Sequence, residues 1–224
     1  MFSREISLIG EDNFKKLQNS KVAVIGVGGV GGYVVEALVR AGIGNLTIVD
    51  GDKVEASNIN RQIIATQKTI GKYKVEAFKE RILDINPNCK VEACPVFYTA
   101  DNKIDFADFD FIVDCIDSRQ DKIELILDAQ NTGVNILSAM GAGARIEGAD
   151  FEIIDIYKTA NDGLAKKLRH DLKKLGVKKL DVCCAKLASI KQEGTVGSMS
   201  YVPALEGAKM ASYVINKLLS KKDF

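Results

Sequence analysis

Residues 26–32 read Gly-Val-Gly-Gly-Val-Gly-Gly, and their flanks leave few folds open to the chain. Lys21–Ile25 enters the glycines as a short apolar run of the kind that forms a buried strand. Residues 29–41 leave them with apolar side chains at Val30, Val34, Ala37, Leu38 and Ala41, the spacing of one helix face. Residues 46–50 form a second apolar run ending in Asp50. Strand, glycine turn, helix and strand in this order predict a βαβ unit with parallel strands and a right-handed crossover. Glycines let the turn tighten and let backbone N–H groups approach a phosphate, which the helix N-terminus then stabilises. Asp50 lies 19 residues beyond Gly31, where a carboxylate can accept hydrogen bonds from ribose hydroxyls. The pattern therefore predicts a nucleotide site.

The alternation continues along the chain. A helix is expected over 73–85, stopped by Asn86-Pro87, and strands over 90–93 and 109–115. Asp117 or Ser118 can cap a helix running to Asn131, and a strand follows over 134–138. The expected fold is α/β: a Rossmann-type, doubly wound, mostly parallel sheet with an antiparallel extension and a small C-terminal lobe. The extension is expected from strands at 144–147 and 151–156, paired around Gly148. A helix is expected over 164–175, a mobile loop or crossover over 176–197, and a final helix over 203–219 that admits Pro203 in its first turn. Residues 1–145 read as the nucleotide-binding region and 146–224 as a C-terminal lobe of the same domain.

A glycine loop followed by an acid would by itself suggest NAD. The residues beyond Asp50 argue for a triphosphate: Asp52, then Ser57-Asn58-Ile-Asn-Arg61-Gln62, then Gly71-Lys72-Tyr-Lys74. Hydride transfer has no use for an Asn, an Arg and a Lys grouped there, whereas departing pyrophosphate needs cationic neutralisation. Asp114-Cys-Ile-Asp117-Ser118 ends a central strand at the sheet edge where α/β ligands bind, and Asp117 could hold Mg²⁺ through oxygen. Other chemistries are restricted by composition. His170 is the one histidine, and the five cysteines (Cys89, Cys94, Cys115, Cys183, Cys184) include no C-x-x-C pair, so the usual zinc spacing is missing. Cys183 or Cys184 as an acyl or sulfur acceptor remains the lesser reading beside an inert thiol. No apolar run is long enough to span a membrane and residues 1–16 do not read as a signal peptide, so a cytoplasmic protein is expected.

The motifs G-x-G-G-x-G, D-x-D-x-V, S-N-x-x-R-Q, G-x-x-K and D-x-x-D-S, in this order over residues 1 to about 145, resemble the ubiquitin-activating-enzyme-like (ThiF/MoeB/HesA) superfamily. Members adenylate a carboxylate with ATP. The resemblance implies ATP and Mg²⁺ as cofactors, with Gly28 and Gly31 at the phosphates, Gly26 and Gly29 also in the nucleotide-binding set, and Asp50 at ribose. Asp52, Asn58, Arg61, Gln62, Lys74, Asp117 and Ser118 complete the implied set, Asn58, Arg61 and Lys74 around the β and γ phosphates and Asp117 at the metal. Arg61, Lys74 and Asp117 are the implied catalytic residues, joined by Arg4. Phe2-Ser3-Arg4 matches the end of the family's opening R-[FY]-x-R, whose second Arg crosses a homodimer interface to the partner's ATP; Met1 stands where the first Arg would be.

The C-terminal lobe narrows the resemblance. The run from Asp155 to Arg169 is similar to the D-x-x-K-T-x-x-D-P-L-A-x-x-L-R pattern of the tRNA threonylcarbamoyladenosine dehydratase branch, with Gly163 in place of its proline. Gly197-Ser-Met-Ser-Tyr-Val-Pro203 resembles the branch's G-S-x-S-[FY]-V-P. That branch implies a tRNA whose modified adenosine carries the reacting carboxylate, and leaves a sulfur-transfer partner protein open. The alternative is adenylation of the C-terminus of a ubiquitin-like sulfur carrier, whose activators typically hold two zinc-binding C-x-x-C pairs. Charge agrees with tRNA: residues 158–192 carry ten Lys and Arg against three Asp, near +7 in a chain of net +1. A solvated helix face is the competing account of that run.

Overall fold

A computed structural model describes residues 1–146 and 150–219. Two short helices, α1 (Ser3–Ile9) and α2 (Glu11–Asn19), precede β1 (Lys21–Ile25), α3 (Gly29–Arg40) and β2 (Asn45–Val49). Then come α4 (Lys74–Ile85), β3 (Lys90–Cys94), β4 (Phe111–Asp114), α5 (Arg119–Thr132) and β5 (Asn135–Ala139). β6 (Phe151–Asp155), α6 (Gly163–Lys174), β7 (Asp181–Ala185) and α7 (Tyr201–Leu219) complete the order. Neither α1 nor α2 was foreseen: α1 buries no side chain, and α2 buries Asn13, Phe14 and Leu17.

The strands form one seven-stranded sheet in the order β3-β2-β1-β4-β5-β7-β6, parallel except for the β6–β7 pair. Both faces are covered, as side-chain alternation along β1 shows. Val22 and Val24 join a core with α2, α3, α4 and α7, while Ala23 and Ile25 pack against Leu125 and Ala129 of α5. A third apolar cluster joins α5 and α6 to β7. The strand order reverses between β1 and β4, which opens a crevice at their carboxyl ends.

Two expectations need correction. Residues 144–146 are not a strand; Ala144 adopts φ +56°, and the expected turn at Gly148 lies outside the described residues. The antiparallel partner of β6 is instead β7, with Phe151 opposite Ala185 and Asp155 opposite Asp181. Strand β7 itself falls inside the segment read as a loop. It inserts between β5 and β6, and Val182, Cys183, Cys184 and Ala185 are all buried there.

Candidate active site

The glycine turn is set by close backbone approach. Gly26 has φ +85°, and a side chain there would stand 2.7 Å from the Cys115 carbonyl oxygen. A Cβ on Gly31 would lie 1.9 Å from the Gly26 carbonyl oxygen. Gly31 is buried and does not line the cleft, and its close approach to Gly26 seats α3 against the turn. Gly26, Gly28 and Gly29 do line it.

The cleft is open, about 800 Å³, and lies at the carboxyl edge over the β1–β4 crevice. It gathers Asp50, Asp52, Asn58, Arg61, Gln62, Lys74, Asp117 and Ser118 from separate stretches of chain. A second cleft, about 690 Å³, lies at the opposite edge, lined mainly by amides and apolar groups such as Phe2, Gln18, Asn45 and Asn88. It lacks the chemistry of the first.

Asp50 sits at the end of β2 and is 8% exposed. Its Oδ2 accepts from the Val27 N–H at 2.9 Å and its Oδ1 from the Asp52 N–H at 2.9 Å. The carboxyl thus ties the glycine turn to β2 while keeping lone pairs for a ligand. Burial pushes it above its ordinary value, outweighing Lys74 and the two N–H groups. Lys74 opens α4, and its Nζ stands 2.7 Å from Asp52 and 3.7 Å from Asp50. Asn58 closes a 3-10 turn (Ala56–Asn58) through a capping box with Glu55. That turn presents Arg61, whose guanidinium donates to the Ser57 carbonyl and to Asn60 Oδ1, each at 3.0 Å. The Gln62 side-chain oxygen is buried with no partner.

Asp117 and Ser118 follow β4. Ser118 occupies the N-cap position of α5, but its hydroxyl makes no capping bond, contrary to expectation. Among the described residues no three His, Cys, Asp or Glu side chains cluster as a metal site. Arg4 lies exposed on α1, outside this cleft.

The cleft's far wall, Ala139 to Gly143, is pinned from behind by side chains that sequence reasoning missed. Lys122, fully buried, donates to Asp114 at 2.8 Å and to Ser138 Oγ and the Ala139 carbonyl at 3.1 Å. The Gly141 N–H donates to Asp162 at 3.1 Å, and Arg145 donates to the Gly141 carbonyl at 3.0 Å. Arg145 and Asp162 also form a buried pair at 3.2 Å. One signal was available: Lys122 shares a helix stripe with Leu125, Ile126 and Ala129 at spacings of three, four and seven.

The cysteines read as inert. Burial pushes Cys184 up to about 12 and Cys183 higher, so neither is a thiolate near neutral pH. Cys115 falls just past β4 and lines the cleft; burial raises its thiol well above the usual range. In the basic segment, Lys158, Lys166, Lys167, Lys173, Lys174, Lys178, Lys179, Lys186 and Lys191 are exposed. Arg169 is engaged with the Thr159 carbonyl and hydroxyl at 2.6 and 2.8 Å, and His170 is exposed on α6.

A doubly wound sheet with a glycine turn, a ribose-height acid and an Arg–Lys–Asp group at its switch point defines a nucleotide-binding α/β protein equipped for triphosphate chemistry. Residues 2–222 match the ThiF family, and the chain belongs to it. The tRNA threonylcarbamoyladenosine dehydratase of Bacillus subtilis is 42% identical over 180 residues, 80% of this chain and 71% of that one. The enzyme of the same name from Haemophilus influenzae is 34% identical over 94% of this chain and 90% of its own. Crystal structures of the E. coli tRNA N6-threonylcarbamoyladenosine dehydratase, in complex with AMP and with ATP, give TM-scores of 0.93 and 0.91 at 33% and 32% identity. Each match covers 99% of this chain and 94% of that one.

Proposed function

We propose that this chain is an ATP-dependent dehydratase that activates the carboxylate of N6-threonylcarbamoyladenosine in tRNA and cyclises it. The observation that carries the reading is the single cleft that collects the glycine turn, Asp50, Arg61, Lys74 and Asp117 in a fold matching the ATP-bound relative. Phosphates lie along Gly26, Gly28 and Gly29, ribose hydroxyls donate to Asp50, and the base extends toward Val96 and Phe97, which line the cleft beside Gly51. The threonyl carboxylate attacks the α-phosphorus, the bond to the β-phosphate oxygen breaks, and pyrophosphate leaves with its charge met by Arg61 and Lys74. A carbamoyl oxygen or nitrogen then attacks the acyl carbon and AMP leaves, a net loss of water from the nucleoside. Positioning and charge neutralisation suffice, so no cysteine nucleophile is needed.

One carboxylate with phosphate oxygens and water is an ordinary Mg²⁺ environment, and Asp117 fits that role where a set of protein ligands alone would not. Bound there, Mg²⁺ would neutralise phosphate charge. Exposed lysines on and around α6 supply tRNA phosphate contacts. Arg4, outside its own cleft, would complete the partner's ATP site in a homodimer. No helix among the described residues is long and apolar enough to cross a membrane. The test is AMP formation from ATP. We expect it to depend on tRNA carrying the modified adenosine; pyrophosphate exchange driven by a protein with a Gly-Gly tail would contradict the reading.

A further inference from the structure

Glu206 sits on the core-facing side of α7, four residues after Val202 and four before Met210, and it is fully buried. Its Oε1 accepts from the Met140 N–H at 3.2 Å, a donor already hydrogen-bonded to the Cys183 carbonyl at 2.9 Å. Its Oε2 is buried with no hydrogen-bond partner. Among the described residues it forms no ion pair, because the nearby cations are engaged elsewhere: Lys122 with Asp114, and Arg145 with Asp162.

The ionisable groups around it are Lys122 from α5, Arg145 from the 144–146 segment and Asp162 at the cap of α6. Cys115 beyond β4 and Cys183 and Cys184 on β7 complete the surround. A carboxylate there would keep its charge on half of one hydrogen bond, which burial does not tolerate; a carboxylic acid buries no charge and has the smaller cost of one O–H to satisfy. Burial accordingly drives the group well above the usual carboxylate range.

We infer that Glu206 is a positioning residue that works as an uncharged carboxylic acid, bracing residues 139–141 of the nucleotide cleft from behind. It takes the Met140 N–H while Lys122 takes the Ala139 carbonyl and Asp162 takes the Gly141 N–H. The inference rests on the proposed function only in that the cleft binds ATP.

Its test uses ATP alone, so tRNA chemistry does not enter. E206Q keeps shape without charge and is expected to bind ATP as the native protein does. E206L removes one of the two acceptors of the Met140 N–H, leaving only the Cys183 carbonyl, and is expected to weaken ATP about tenfold or more through the displaced wall. Equal weakening by both variants would overturn the neutral form, and native-like binding by E206L would overturn the bracing role. If E206L fails to fold, thermal unfolding against pH still decides. The unfolded glutamate ionises near about 4.3 while burial holds the folded one protonated to higher pH, so native stability falls as pH rises between the two. The E206Q advantage in Tm should therefore widen from about pH 5 to about pH 8; a constant gap, or a native advantage that grows with pH, would overturn the proposal.

Discussion

Arg61 concentrates the distinction between binding a nucleotide and cleaving one. Its guanidinium is held at the cleft by backbone and amide oxygens, and the residue is only half-buried. Arg61→Ala should lower kcat/KM by about 10²–10³-fold. Unfolding free energy should change by no more than about 1 kcal/mol. Steady-state kinetics beside chemical denaturation would separate the two; a variant that keeps native turnover would remove Arg61 from the catalytic set. Lys122 behaves in the opposite way. Lys122→Met leaves Asp114 buried without its cation, at a cost of about 3–5 kcal/mol. Replacing both partners by apolar residues should recover much of that loss in the same denaturation assay. Destabilisation of the double variant as great as that of the single one would contradict this pairing.

At the scale of elements, the cleft depends on how α3 is seated. Gly31 presses α3 onto the glycine turn, and Gly207 lets α7 lie against it, since a Cβ there would stand 2.6 Å from the Val30 carbonyl oxygen. Gly207→Ala must push the helices apart at Val30, which itself lines the cleft. Destabilisation of about 1–3 kcal/mol and a raised KM for ATP are expected, measured by thermal unfolding and initial rates. The βαβ unit was legible because glycines, helix period and Asp50 lie in one local stretch. β7 was not. Asp-Val-Cys-Cys-Ala has no alternation and little β-branching, and its place between β5 and β6 is fixed by partners distant in sequence. Arg145 was hidden for a related reason: read in a strand, it is a tether whose guanidinium meets Gly141 and Asp162. Lys122 and Glu206 were readable only as charges on apolar helix stripes, a pattern that needs the neighbouring strands to explain it.

Across the whole molecule, a nucleotide cleft at the sheet edge is combined with a lysine-rich surface on the C-terminal half. Composition left that surface open between a tRNA face and a solvated helix. Exposure of nine lysines is compatible with both, while Arg169 is withdrawn into structural bonds with Thr159. Reversing Lys173 and Lys174 to Glu distinguishes them. On the tRNA reading, affinity for tRNA falls and ATP binding is untouched. The slope of log affinity against log salt also shrinks, by about 1 for each phosphate that is no longer neutralised. A solvated face would show neither change in tRNA binding.

On the proposed function, the carboxylate activated in this cleft belongs to a modified tRNA adenosine. Mass analysis of tRNA nucleosides before and after incubation with the protein, ATP and Mg²⁺ tests it most directly. N6-threonylcarbamoyladenosine should be replaced by a nucleoside lighter by one water, with AMP formed in step and neither change with Arg61→Ala. An unchanged nucleoside in the presence of ATP turnover would contradict it.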